Sequence, residues 1–439
     1  MIKDRDRVFG NGEYLPYNDY KRSIKNQTSN ISKRIKFLNS ISIAFIICAN
    51  YLSIIFDSLN LISNGFIPIL IAICIIFSYS VTLIFGLHLI HINKKSLFFL
   101  LFIIGFFLLT ILFNDNDIVV RYFTEFLGYG LTAFMITLLP FNPSTVLKYL
   151  TLSGLLILLN PMAVTENIGL ITNSYGRIDM GSSYALLVPV SAAIIYFFRE
   201  KKGEKISLIL FLSYLTNIYM LFLLLSQASR GTVISLLVLL SLLVYKKVSN
   251  KFSGKKRLLS FAFIGVFLSL SVLALINITK VLYFLYSLSQ LMGIEIAAIL
   301  KTYNLVNNYH LLGLLNGRQD LYLNSLEMIK NHIFLGNGIG SYTSSYGIYP
   351  HNIVLQLMVE GGIVLTIPVL IIITGIVFFL LTPQDKIEIN SEWYLLLLLL
   401  FSVAMPRLMF SSYLWQQQSF WLMIFVYFII RTLNKKKLT

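Results

Sequence analysis

Apolar runs close to 20 residues long recur from Phe37 to Ile430. A helical run of that length matches the hydrocarbon thickness of a bilayer. In that solvent every backbone N–H and C=O must be satisfied by the spanning structure itself, which leaves only helices and closed barrels. A barrel is excluded, because its strands alternate apolar and polar residues and these runs are continuous. The composition agrees: 57% of the 439 residues are hydrophobic and 12% are charged, unlike any soluble domain of this size. The chain reads as an all-α integral membrane protein. About 12 transmembrane helices are expected, near 37–56, 66–92, 97–113, 119–139, 146–164, 183–198, 206–225, 231–245, 258–276, 352–381, 393–409 and 417–430.

The charge distribution orients these spans. Lys and Arg collect in cytoplasmic loops of membrane proteins, which also accounts for the net charge of +16 without nucleic acid as a partner. With the amino terminus inside, 27 of the 35 Lys and Arg fall on the cytoplasmic side. The others are Arg121, Arg177, Arg230, Lys280, Lys301, Arg318, Lys330 and Arg407. The resulting organisation is a basic cytoplasmic tail (1–36), nine spans (37–276), an extracytoplasmic loop with amphipathic helices (277–351), three spans (352–430) and a short cytoplasmic tail (431–439). No cleavable signal peptide is expected, since the polar, basic start runs into a full span. Residues 280–300 are apolar enough for a thirteenth span, but crossing there would put Lys435, Lys436 and Lys437 outside. Lys280, Gln290 and Glu295 suit an interfacial helix better.

Polar residues gather in one stretch, from Gly317 to Gly362. Tyr322, Leu326, Ile329 and Ile333 fall at helical spacing, which predicts an amphipathic helix over 319–332. Gly336, Gly338 and Gly340 mark a turn after it. Even-numbered spans begin outside, with free N–H groups and the positive dipole end facing that surface. Arg121, Arg177, Arg230 and His351 stand at or near such starts, and Arg318 opens the loop helix. Arg at a helix amino terminus makes a site for phosphate oxygens. Arg121 also fits an i,i+4 pair with Glu125, and Arg177 and Arg407 suit lipid headgroups as well. A neutral His351 imidazole can take a proton near physiological pH. Glu360 lies nine residues beyond it, inside an apolar run. An ionisable group there marks a functional site or a buried bundle pin. Cys48 and Cys74 fall in apolar runs and read as packing residues. No histidine pair shows metal-ligand spacing with a carboxylate, so neither metal nor other cofactor is predicted.

Ser229-Arg230-Gly231, Gly317-Arg318, Leu335-Gly336-Asn337-Gly338-Ile339-Gly340, His351-Asn352 and Glu360-Gly361, in this order, resemble the O-antigen ligase and Wzy-type polymerase superfamily. The resemblance covers mainly 170–365. It implies a GT-C-like membrane glycosyltransferase of the bacterial inner membrane, with its active site outside. Its substrates would be undecaprenyl-diphosphate-linked oligosaccharides, as donor and acceptor, and a chain-length regulator protein would be a partner. It further implies catalytic roles for His351 (acceptor activation), Arg230 and Arg318 (diphosphate), and substrate contacts from Arg177, Tyr342, Asn352 and Glu360. Polymerisation is favoured over ligation to lipid A core by the compact Gly-Arg to His-Asn segment. The rival class is a lipid-linked-sugar flippase or transporter, against which stand the missing internal repeat and the one-sided polar residues.

Overall fold

The computed structural model describes residues 7–10, 13–59, 66–90, 92–113, 117–161, 180–199, 207–227, 230–251, 278–291, 318–382, 391–410 and 412–438, with isolated positions between 299 and 307. A short antiparallel hairpin comes first, β1 (Arg7–Gly10) with β2 (Glu13–Pro16). The other described elements are helical: α1 (Tyr17–Ile47), α2 (Ala49–Ser58), α3 (Phe66–Gly86), α4 (Lys94–Phe113), α5 (Asp117–Phe126), α6 (Thr132–Leu138), α7 (Pro143–Ser153), α8 (Met180–Phe197), α9 (Leu208–Gln227) and α10 (Arg230–Lys251). The chain continues with α11 (Ile278–Leu291), α12 (Gln319–Asn331), α13 (Ser341–Tyr346), α14 (Ile353–Leu381), α15 (Ser391–Phe410) and α16 (Gln418–Leu438).

Among the described residues, five helices are long and apolar enough to cross a bilayer, and six if α1 and α2, bent by 64° at a short break, form one broken span. The protein is thus an all-α integral membrane protein. Eleven of the predicted spans coincide with helical segments, and the remaining one, 258–276, lies outside the described residues. Several of these are shorter or interrupted, which separates them from the five. One π-turn, Leu127–Leu131, joins α5 to α6, and a 3-10 segment, Gly154–Leu159, extends α7. The helix expected over 319–332 is α12, which ends at Asn331. Of 280–300, residues 280–291, which belong to α11, and Ile299 are described, and the rest lies outside the described residues.

The core is built where the sequence is apolar on all sides. Leu395 to Leu400 of α15 and Trp421 to Val426 of α16 are all buried. Phe107, Phe126 and Trp415 interlock there, with Trp415 4.6 Å from Phe107 between ring centroids. By contrast α3 leaves Ile76 64% and Ile84 71% exposed. An apolar face open on that scale in a membrane protein is a lipid-facing surface.

One helix departs from regular geometry. In α14, Gly362 has φ 56° and ψ −155°. In an unbroken helix, Ile363 and Val364 would donate to the carbonyls of Val359 and Glu360. Here they donate to Ile333 and Phe334 instead, at 2.9 and 3.2 Å. The freed carbonyls of Val359 and Glu360 accept from Asn337 and Gly338, at 2.7 and 3.0 Å. The glycine turn after α12 therefore clamps the break in α14 with four backbone hydrogen bonds. The Asn337 side chain adds two more, to Met328 O at 3.1 Å and Val359 O at 3.3 Å.

Glycine is required at this contact. A Cβ on Gly336 (φ +71°) would sit 2.6 Å from the Glu360 backbone, and one on Gly362 would collide with Phe334 O. Gly347 has a similar φ, +70°, but open space around it. Gly336→Ala or Gly362→Ala is expected to cost several kcal/mol, since left-handed strain adds to unpaired buried backbone groups at about 1–3 kcal/mol each. Gly347→Ala should cost only about 1 kcal/mol. Thermal unfolding of the three purified variants in detergent checks the order.

Candidate functional site

The clamp holds the head of α14 against α12, and Arg318, Tyr342, His351, Asn352 and Glu360 sit around that junction. Asn352 caps α14, accepting from Val354 N at 2.9 Å and Leu355 N at 3.2 Å. Its side chain is thereby committed to the helix start. His351, just before it, has φ 57° and is the sole non-glycine residue with positive φ among the described residues. That conformation is uncommon for a side chain with a Cβ and costs on the order of 1–3 kcal/mol. It sets the imidazole against Tyr349, with ring centroids 4.2 Å apart. Nδ1 of His351 is buried without a hydrogen-bond partner among the described residues. Burial, with the Arg318 guanidinium second, pushes this imidazole down to about 4. The ring is therefore neutral at physiological pH.

Arg318 precedes α12 and donates to the carbonyl oxygen of Phe410, at the end of α15. Its positive charge acts on both His351 and Tyr349. The aromatic wall continues from Tyr349 to Tyr413 at 4.9 Å, and from Tyr413 to Tyr122 at 5.0 Å, stacked. Tyr413 donates to Glu125 Oε2 at 2.6 Å. Arg121 holds the other carboxylate oxygen of Glu125 at 3.2 Å, the i,i+4 pair expected from their spacing. Tyr122 shares a 2.7 Å hydrogen bond with Thr343 of α13.

Glu360 lies beneath this layer, 2% exposed. Gln356 Nε2 donates to one of its oxygens at 3.2 Å and Trp415 Nε1 to the other at 2.9 Å, and the Gly340 backbone adds a third bond. Gln356 in turn accepts from Leu414 N at 3.0 Å. Glu360 thus pins α14, the glycine turn and the α15–α16 connection together, the bundle-pin alternative for this residue. Tyr342 is also fully buried, and its hydroxyl donates to Leu321 O at 2.8 Å. In the structure Glu360 and Tyr342 hold buried packing contacts and Asn352 caps a helix.

Arg230 is the first residue of α10, as its place in the sequence indicates, but its side chain lies outside the described residues. Arg177 lies outside them altogether. The sequence reading missed Tyr349, Tyr413, Trp415 and Gln356. One signal for Tyr349 was available, its position two residues from His351 in a Tyr-Pro-His run. Another was Trp415-Gln416-Gln417-Gln418, a polar run between two apolar helices.

Residues 215–370 match the family model described as O-Antigen ligase. Over these residues the chain is similar to that family. The match takes in about a third of the chain. It holds Arg230, α12, the clamp, His351 and the broken part of α14, and it leaves out Arg177. The resemblance stated on Arg230, Arg318, the glycine turn and His351 is the same family. No curated protein and no solved structure matched the sequence.

The geometry predicts an unusual titration. His351 should protonate near pH 4 rather than 6.5. Its folded value is depressed, so the stability it contributes is present above 6.5 and lost as pH falls towards 4. Removing the Arg318 charge, in Arg318→Gln, should raise the midpoint, though burial keeps it below 6.5. Histidine-selective NMR, with His351→Ala to assign the signal, reads both. A wild-type midpoint at 6.5 would contradict the buried ring.

Proposed function

We propose that this protein is a metal-independent, inverting membrane glycosyltransferase that joins undecaprenyl-diphosphate-linked oligosaccharide repeat units into O-antigen or capsular polysaccharide. The reaction takes place on the outer face of the bacterial inner membrane, within a GT-C-like bundle of about 12 spans. The observation that carries this reading is a neutral, half-buried imidazole beside an arginine, both within the residues similar to the O-antigen ligase family.

In this reading the acceptor hydroxyl gives its proton to His351 as its oxygen attacks the anomeric carbon of the donor. The new carbon–oxygen bond forms as the bond to the diphosphate breaks, from the opposite face, so the anomeric centre inverts. Undecaprenyl diphosphate leaves with the bonding electron pair. Arg318 and Arg230 stabilise that developing charge with preorganised, charge-assisted hydrogen bonds. A pKa near 4, set first by burial and second by the Arg318 charge, makes His351 a weak base in the resting site. A bound diphosphate offsets the Arg318 field and raises the basicity of the ring only when substrate is present. The proton then passes to solvent. The second reading is ligation to lipid A core, favoured by the family's own description.

Purified protein, given a single undecaprenyl-diphosphate-linked repeat unit and a chelator but no nucleotide, should produce a ladder of polymer. A product formed only after lipid A core is added would assign ligation. No glycosidic bond under either condition would remove both readings and leave a transporter. His351→Ala should slow the ladder by about two to four orders of magnitude. Arg230→Lys should also lower it sharply, because the planar fork is lost while the charge stays.

The orientation is tested separately. In a background with Cys48 and Cys74 replaced, a cysteine at exposed Ser345 should react with an impermeant thiol reagent applied to intact cells. One at exposed Ser207 should not. The reverse pattern would invert the assignment.

A further inference from the structure

A second arginine stands on the helix that holds Arg318, in a place that the reading above does not use. Arg407 sits one turn before Phe410 on α15, and Phe410 O accepts from Arg318. Two arginines are therefore held by the same helix end. Burial raises the Tyr349 phenol, and the charges of Arg318 and then Arg407 oppose that rise, so both fields meet at the ring that packs on His351.

Arg407 is half-buried, with its guanidinium 4.8 Å above the ring of buried Tyr184. A headgroup anchor would stretch towards the bilayer surface. This side chain instead lines a cavity of about 80 Å³, where one water needs roughly 10–15 Å³. The space fits one phosphate group better than a chain of sugars. Asn50, Tyr129, Gln416 and Gln417 supply further polar groups at the walls, and aliphatic side chains of α8 and α15 close the rest. Among the described residues no Asp or Glu lines it. Tyr129 belongs to the π-turn Leu127–Leu131, a feature frequent at functional sites.

We propose that Arg407 is a phosphate-binding residue of the same site, and that its cavity takes one phosphate of the lipid-linked diphosphate that Arg318 holds on its other side. This rests on the glycosyltransferase reading. Two guanidiniums on one diphosphate divide the charge of the leaving group, and an amide- and tyrosine-lined wall binds the remaining oxygens. The sources of a lipid phosphate are a polyprenyl diphosphate and an ordinary anionic phospholipid, and the test separates them.

The full chain, purified in detergent, is titrated with undecaprenyl diphosphate and, separately, with phosphatidylglycerol, and bound lipid is read by native mass spectrometry. Arg407→Gln should weaken undecaprenyl diphosphate by about 10-fold or more and leave phosphatidylglycerol unchanged. Arg407→Lys should recover part of the affinity. Equal weakening of both lipids would make Arg407 a headgroup contact and overturn the proposal, as would wild-type affinity in Arg407→Gln. Should that variant not fold, Arg407→Lys decides alone: a loss of about 3-fold or more supports the proposal and unchanged affinity overturns it. Arg318→Ala, run in parallel, separates the two levels. If it loses undecaprenyl diphosphate and Arg407→Gln does not, only the Arg407 assignment falls. A wild type that binds no undecaprenyl diphosphate removes both.

Discussion

Four backbone hydrogen bonds between residues 333–338 and 359–364 hold the site together. A helix that breaks inside an apolar bundle strands two carbonyls and two amides, and lipid offers them no partner. The glycine turn supplies partners for all four. Because both segments must approach at backbone distance, neither can carry a side chain at Gly336 or Gly362. The side chains of Glu360 and Asn337 repeat the same connection, through Gly340 and Val359. The break in α14 thus belongs to the site and is not a packing defect.

What the clamp positions is one strained residue and one cation. His351 can keep a positive φ because Asn352 caps the helix after it and Tyr349 packs its ring. Arg318 is held at the start of α12, the helix from which the clamp turn extends, and is tied to the end of α15. The resulting electrostatics are unfavourable to a protonated imidazole and favourable to an anion. A site of that kind awaits negative charge, which agrees with a diphosphate substrate and with a base that strengthens when the substrate arrives.

The helical, membrane-embedded architecture was legible in the sequence, because apolar runs of bilayer length admit few other structures. So were α12, its glycine turn and the special positions of Arg318 and His351. Helix interruptions were not: the π-turn at Leu127–Leu131 and the bend between α1 and α2 sit in runs whose hydropathy is unbroken. Nor was the division of labour among Glu360, Tyr342 and Asn352. Hydropathy marks a polar residue in an apolar run but not whether its hydrogen bonds are already taken, which depends on Trp415, Leu321 and other residues distant in sequence. Arg407 stayed open for a related reason, since a cation near a span end suits lipid and an internal cavity equally well until the side chain's direction is known.

The clamp exists in the resting protein and does not wait for substrate. Hydrogen exchange on the purified, substrate-free protein tests it at the amides concerned. Asn337, Gly338, Ile363 and Val364 should exchange as slowly as the buried middle of α14. Exchange at the rate of the exposed Tyr346–Ile348 segment would mean that the clamp is open and that the site is not preformed.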